Sequence, residues 1–132
     1  MDIKLTTGEI ISSYNAIEKY INNCEDINVD FLWNIDKNQS KFKEIVDRFE
    51  KCRNNILKPF YENKAFIEEE STNEVVKVKS EFAEDFAKAV SKINELLAVK
   101  NNIENIDVID YDTVPKQISG KLYKAIKYMI KK

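Results

Sequence analysis

The chain has 132 residues, of which 43% are hydrophobic and 33% are charged, with only two glycines and two prolines. This length is enough for one domain with a substantial core, and the scarcity of glycine and proline favours long helices over a sandwich or barrel. The formal net charge of −2 argues against a general nucleic-acid binder and also against a DNA mimic. We therefore predict a single domain over 1–132.

The N-terminal segment combines a short strand with an amphipathic helix. Residues 2–5 alternate between polar and apolar side chains, which is typical of a strand. Over residues 9–22 the apolar positions recur three and four apart, which predicts a first helix. We expect Thr6 or Thr7 to cap this helix, with Glu9 stabilising the positive end of its dipole.

The longest periodic stretch runs from Asp30 to Lys58 and predicts a long helix capped by Asn28 or Asp30. Pro59 follows directly and predicts a stop or a kink, because proline lacks an amide proton. At ~1.5 Å per residue the helix is roughly 44 Å long. Its apolar stripe includes residues at steps of seven: Ile35, Phe42, Phe49 and Ile56.

A second long helix is predicted from about Glu81 to Val99, with Ser80 as its cap. A helix with one apolar stripe needs a partner face, so the two long helices are expected to pack as an antiparallel pair. Between them, residues 63–79 are predicted to form a β-hairpin, with a mobile loop as the alternative.

The C-terminal third alternates between strand and helix signals. Residues 106–111 predict a short strand that pairs with residues 3–5, and residues 120–130 predict a last helix capped by Ser119. The predicted fold class is therefore mainly α, or α+β with minor strands. The pair of long helices is braced by the N- and C-terminal helices.

The residue types needed for catalysis are scarce. The chain contains no histidine, only two cysteines and no glycine-rich loop. It therefore lacks the residues needed for a histidine-containing catalytic triad, a four-ligand zinc site or a phosphate-binding loop. Asp107, Asp110 and Asp112 are close in sequence but lack the spacing of a calcium loop, and we expect a solvated acidic edge. The sequence predicts neither an enzyme nor a cofactor or metal site.

Positive charge accumulates at the C-terminus, where the last twenty residues contain six lysines and no acidic residue. One interpretation places this tail beside the acidic middle of the chain, which spans residues 62–112. The other makes it a nucleic-acid contact, with tyrosines nearby for stacking. The candidate residues for that contact are Lys121, Lys124, Lys127 and Lys131.

The single tryptophan offers a candidate protein-binding residue. Trp33 lies two positions before Ile35 and falls off the apolar stripe of the long helix. It is either an exposed anchor for a partner or packed beneath the first helix. Arg48 and Arg53, the only arginines, lie on the same helix and complete the candidate partner-binding set.

The order of elements resembles a family of small bacteriophage and prophage proteins whose domain has no assigned function. The points of similarity are residues 3–11, residues 15–17, residues 60–62, residues 86–97, residues 106–110 and residues 122–130. The resemblance implies an accessory protein that acts in the cytoplasm of a bacterial host. It brings no catalytic residues with it.

These observations lead to three functional hypotheses. The first is a non-enzymatic phage-type accessory protein that binds a host or phage protein, for example an anti-CRISPR-like inhibitor of host defence. The second is a nucleic-acid-binding replication or packaging factor that uses the basic C-terminal helix. The third is a self-associating structural or assembly component. The sequence shows neither a signal segment nor an apolar run able to span a bilayer, so we expect a cytoplasmic protein without a membrane partner.

Overall fold

The computed structural model describes residues 2–23, 28–65 and 78–131, and these residues are mainly helical with a few short strands. The predicted fold class is confirmed. Single 3-10 turns occupy Ser80–Phe82, Tyr111–Thr113 and Lys127–Met129. The main elements are β1 (Ile3–Thr6), α1 (Thr7–Asn23), α2 (Val29–Glu62), α3 (Ala83–Ala98), β2 (Lys100–Ile103), β3 (Ile109–Asp110), α4 (Gly120–Ile126) and β4 (Ile130–Lys131).

The chain divides into two compact units. Unit 1 comprises Met1–Asp47 and Val99–Lys132, and unit 2 comprises Arg48–Ala98. Helix α2 therefore contributes its first part to unit 1 and the remainder to unit 2. That 1–132 behaves as a single domain stays a prediction.

Helix α1 begins with a reciprocal pair of hydrogen bonds. The Thr6 hydroxyl oxygen accepts from the Glu9 backbone N–H at 3.1 Å, and the Glu9 carboxylate accepts from the Thr6 N–H at 3.0 Å. This capping box satisfies two of the backbone donors that every helix start leaves open. Of the two predicted caps, Thr6 is the one the structure uses.

Helix α2 has a defined start and a defined end. The Asn28 side chain accepts from the Phe31 N–H at 3.1 Å, which confirms one predicted cap. The helix passes through Pro59 to Glu62, so of the predicted stop or kink, the stop is wrong and the kink stays a prediction. It ends instead where Lys64 adopts a left-handed φ of 51° and the Ala65 N–H donates to the Phe60 carbonyl at 2.9 Å, a Schellman arrangement.

The two small sheets both lie in unit 1. Strand β1 pairs antiparallel with β2, in a register that places Ile3 opposite Ile103. Strand β3 pairs parallel with β4, with Ile109 opposite Ile130. The predicted pairing of residues 106–111 with residues 3–5 is therefore wrong.

The core of unit 1 brings together α1, the first part of α2, α4 and the strands. Its members share nearly complete burial and include Ile10, Ile17, Phe31, Ile35, Phe42, Ile103, Ile109, Leu122, Ile126 and Met129. The predicted bracing of the pair of long helices by the N- and C-terminal helices is found here for α2.

The core of unit 2 joins the end of α2 to α3. Phe60, Ala65 and Ala89 are buried, and the rings of Phe60 and Phe86 meet edge to face with centroids 5.4 Å apart. The predicted packing of the two long helices is found in these contacts. Most of the predicted hairpin at 63–79 lies outside the described residues.

Candidate functional site

Trp33 lies on the exposed side of α2 in unit 1, with 66% of its surface accessible. Successive residues of an α-helix are rotated by about 100°. Trp33, midway between the buried Phe31 and Ile35, therefore lies on the opposite side of the helix from them. Val29, one turn earlier on the same side, is 73% exposed. The interpretation that Trp33 packs beneath the first helix is wrong.

The two arginines belong to unit 2, whereas Trp33 belongs to unit 1. The Arg53 guanidinium lies 5.8 Å from the centroid of the Phe49 ring, in the range of a cation–π contact. Arg53 is half-buried and Arg48 is exposed. The predicted partner-binding set is therefore divided between the two units, and Trp33 stands without the arginines in its own unit.

All four candidate lysines of the C-terminal segment are exposed, but they do not share one helix. Helix α4 ends at Ile126, so Lys121 and Lys124 are helical, Lys127 lies in a 3-10 turn and Lys131 lies in β4. The predicted helix to Ile130 is wrong because the chain there extends to pair with β3.

The C-terminal segment is fixed to α1. The Tyr128 hydroxyl donates to the Ser13 oxygen, and the Ser13 hydroxyl donates to the Ala125 carbonyl, both at 2.7 Å. The pKa of Tyr128 is raised to about 12, chiefly by burial; the negative charge of Glu9 contributes to the increase, and the hydrogen bond to Ser13 opposes it.

One interpretation of the basic tail places it beside the acidic middle of the chain, residues 62–112. The structure shows this contact at the strand level, where Asp110 is the register partner of Lys131. Within residues 2–23, 28–65 and 78–131, no ion pair joins a carboxylate to any of the four candidate lysines. All four residues are exposed.

An open groove of about 1210 Å³ lies in unit 1 between α1 and the segment 112–122. Among the described residues, its charged side chains are Lys19, Lys116 and Lys121, with the single carboxylate of Asp112. Sequence reasoning missed Lys19 and Lys116, because only the packing of α1 on α4 brings them to one groove. The other lining residues are Ser12, Asn15, Ala16, Tyr20, Asn23, Asn28, Thr113, Val114, Pro115, Gln117, Ile118, Ser119 and Leu122.

Two of the three aspartates considered for a cation, Asp107 and Asp110, have carboxylates that contact other groups. Asp107 faces the ammonium groups of Lys37 at 3.4 Å and Lys41 at 3.6 Å, while the Asp110 carboxylate accepts from the Asp112 N–H at 2.9 Å. In the described part of the chain, no three acidic or cysteine side chains are grouped closely enough to hold a metal ion. No helix among the described residues has the length and hydrophobicity needed to cross a bilayer.

Comparison with known proteins yields no match to a protein-family model, to a characterised protein or to a solved structure. The resemblance to small phage proteins therefore stays a prediction. Of the surfaces described above, the exposed Trp33 and the lysine-lined groove are chemically the most distinctive.

Proposed function

We propose that this protein acts by binding another protein through the surface formed by Val29 and Trp33, here termed the Trp33 surface. The exposure of the only tryptophan is the observation that carries the proposal. Tryptophan is among the residues that contribute most to binding energy when a partner covers them. Burial of so large an apolar side chain is favourable by roughly 2 kcal/mol, and a partner that covers Trp33 would gain this free energy on binding.

The Trp33 surface has a rigid support. Phe31 and Ile35, on either side of Trp33 in the sequence, are fully buried, and the ring of Phe31 meets that of Tyr20 edge to face at 5.7 Å. The Asn28 cap fixes the first turn of the helix. An anchor held on an ordered helix loses less conformational entropy on binding than one on a loop, so this arrangement favours association.

The nature of the partner follows from the resemblance to phage proteins. We place the protein in the cytoplasm of a bacterial host, as a non-enzymatic accessory factor. In its most specific form the proposal is that it blocks a host defence protein sterically, as anti-CRISPR proteins do. The lack of histidine and of glycine-rich motifs supports action by attachment rather than by turnover.

The test is affinity capture from a bacterial host lysate with three forms of the tagged protein. Trp33→Ala removes the proposed anchor, and Tyr123→Ala removes a partly exposed aromatic side chain elsewhere on unit 1. We expect a specific protein to be captured by the wild type and by Tyr123→Ala, and at least tenfold less by Trp33→Ala, since hot-spot truncation costs about 2 kcal/mol or more.

Two results would contradict the proposal. One is the recovery of no specific protein by the wild type, and the other is equal recovery by Trp33→Ala. Light scattering on the purified protein distinguishes self-association from binding to a different protein, because it measures the oligomeric state. A stable oligomer that dissociates on Trp33→Ala substitution would make the partner a second copy of this chain.

A further inference from the structure

We propose that the groove between α1 and the segment 112–122 binds the sugar–phosphate backbone of single-stranded nucleic acid. Three lysines from separate places in the sequence, Lys19, Lys116 and Lys121, line this one groove. Trp33 does not line it, so this inference is independent of the protein-binding proposal.

The charge of the groove is the first argument. Lys19, Lys116 and Lys121 are all exposed, and none has an ion-pair partner among the described residues. Asp112 is the single carboxylate among the described residues of the lining, so positive charge is in excess among those residues although the chain as a whole is slightly acidic. Lysine ammonium groups bind phosphate as point charges, and such a cluster is complementary to a polyanion.

The dimensions of the groove are the second argument. At about 1210 Å³ it exceeds the range of roughly 300–1,000 Å³ that is typical of small-molecule sites. At Lys121 it meets the exposed side of α4, which carries Lys124 and a partly exposed Tyr123. No acidic residue occurs in 113–131, so a strand leaving the groove meets only positive charge there.

The chemistry of the lining favours nucleic acid over an acidic peptide. Amide and hydroxyl side chains such as Asn15, Gln117 and Ser119 offer hydrogen bonds to phosphate, sugar and base edges. The cores of protein–protein interfaces are apolar and depleted in charge, and none of the strongly exposed apolar side chains of the described residues lies in this groove.

The experiment measures fluorescence anisotropy of a labelled oligothymidylate of about 12 nucleotides, a length within the usual site size for such grooves. The test variant is Lys19→Glu with Lys116→Glu. The matched control is Lys88→Glu with Lys92→Glu, which makes the same change in net charge on α3 of unit 2. Circular dichroism confirms that both variants are folded.

We expect the wild type and the control to bind the oligonucleotide at low salt, and the test variant to bind it roughly tenfold more weakly. The slope of log binding constant against log salt concentration is expected to decrease in magnitude by about one for each lysine removed. An equal loss in both variants, or no binding by the wild type, would overturn the proposal. So would preferential binding of a labelled oligoglutamate, because that result would assign the groove to an acidic polypeptide.

Discussion

The Asn38 side chain forms two hydrogen bonds with the backbone of Asp107. Its amide nitrogen donates to the Asp107 carbonyl at 2.9 Å, and its amide oxygen accepts from the Asp107 N–H at 2.8 Å. Asn38 is fully buried, and its amide nitrogen also lies 3.2 Å from the Met129 sulfur. One side chain on α2 therefore replaces a strand as the partner of the chain just before β3.

Replacing Asn38 with Ala is expected to lower the free energy of unfolding by about 3 kcal/mol, because the Asp107 N–H and carbonyl lose their partners. Urea unfolding followed by circular dichroism measures this change. Asn54→Ala, an exposed position on the same helix, is the control and is expected to change stability by less than about 0.5 kcal/mol. Equal effects of the two substitutions would show that the amide pairing contributes nothing specific.

The helices were largely predictable because their signals are local. The period of three and four in α1, the caps at Thr6 and Asn28, and the apolar stripe of α2 all depend on residues within one or two turns of each other. Pro59 misled the prediction of the end of α2 because the effect of proline on the preceding turn was outweighed by burial of Phe60 and the cap at Lys64.

The strand pairing and the groove were not predictable because they depend on residues far apart in the chain. Strands of two to four residues have too few alternating positions to identify a pairing partner. The sequence therefore pairs β1 with residues 106–111, whereas in the structure it pairs with β2. A buried asparagine such as Asn38 looks in the sequence like any polar residue of a helix. The joint lining of the groove by Lys19 and Lys116 likewise follows from tertiary packing alone.

Stability is expected to fall between about pH 10 and pH 12 because of Tyr128. Its pKa rises from an ordinary value of 10.0 to about 12 in the folded protein, chiefly through burial. Below pH 10 the phenol is protonated in both the folded and the unfolded state, and its contribution to the free energy of unfolding is complete. Above pH 10 it ionises first in the unfolded chain, so the free energy of unfolding falls by up to about 2–3 kcal/mol by pH 12.

Urea unfolding of the wild type and Tyr128→Phe across this pH range measures the effect. The phenylalanine variant is expected to lose less stability as pH rises, and Tyr123→Phe, a more exposed tyrosine, is expected to follow the wild type. Parallel pH curves for Tyr128→Phe and the wild type would contradict the assignment.

The capping box at the start of α1 is expected to contribute about 1 kcal/mol. Thr6→Ala removes the side-chain oxygen that accepts from the Glu9 N–H, and Thr6→Ser retains it. Thermal or urea unfolding is expected to rank the proteins as wild type, then Thr6→Ser, then Thr6→Ala. A Thr6→Ser protein as unstable as Thr6→Ala would indicate that the threonine methyl group, rather than the cap, is responsible.

The exposure of Trp33 makes the intrinsic fluorescence of the chain a report on one surface. Because the chain has no other tryptophan, selective excitation is expected to give the red-shifted emission of an indole in water, readily quenched by acrylamide. Trp33→Ala is expected to change the free energy of unfolding by less than about 0.5 kcal/mol, whereas Phe42→Ala, at a fully buried position, is expected to cost about 3–5 kcal/mol. A blue-shifted emission that persists on dilution would place Trp33 in a covered environment and remove the basis of the protein-binding proposal. A blue shift that disappears on dilution would instead show that the Trp33 surface mediates self-association.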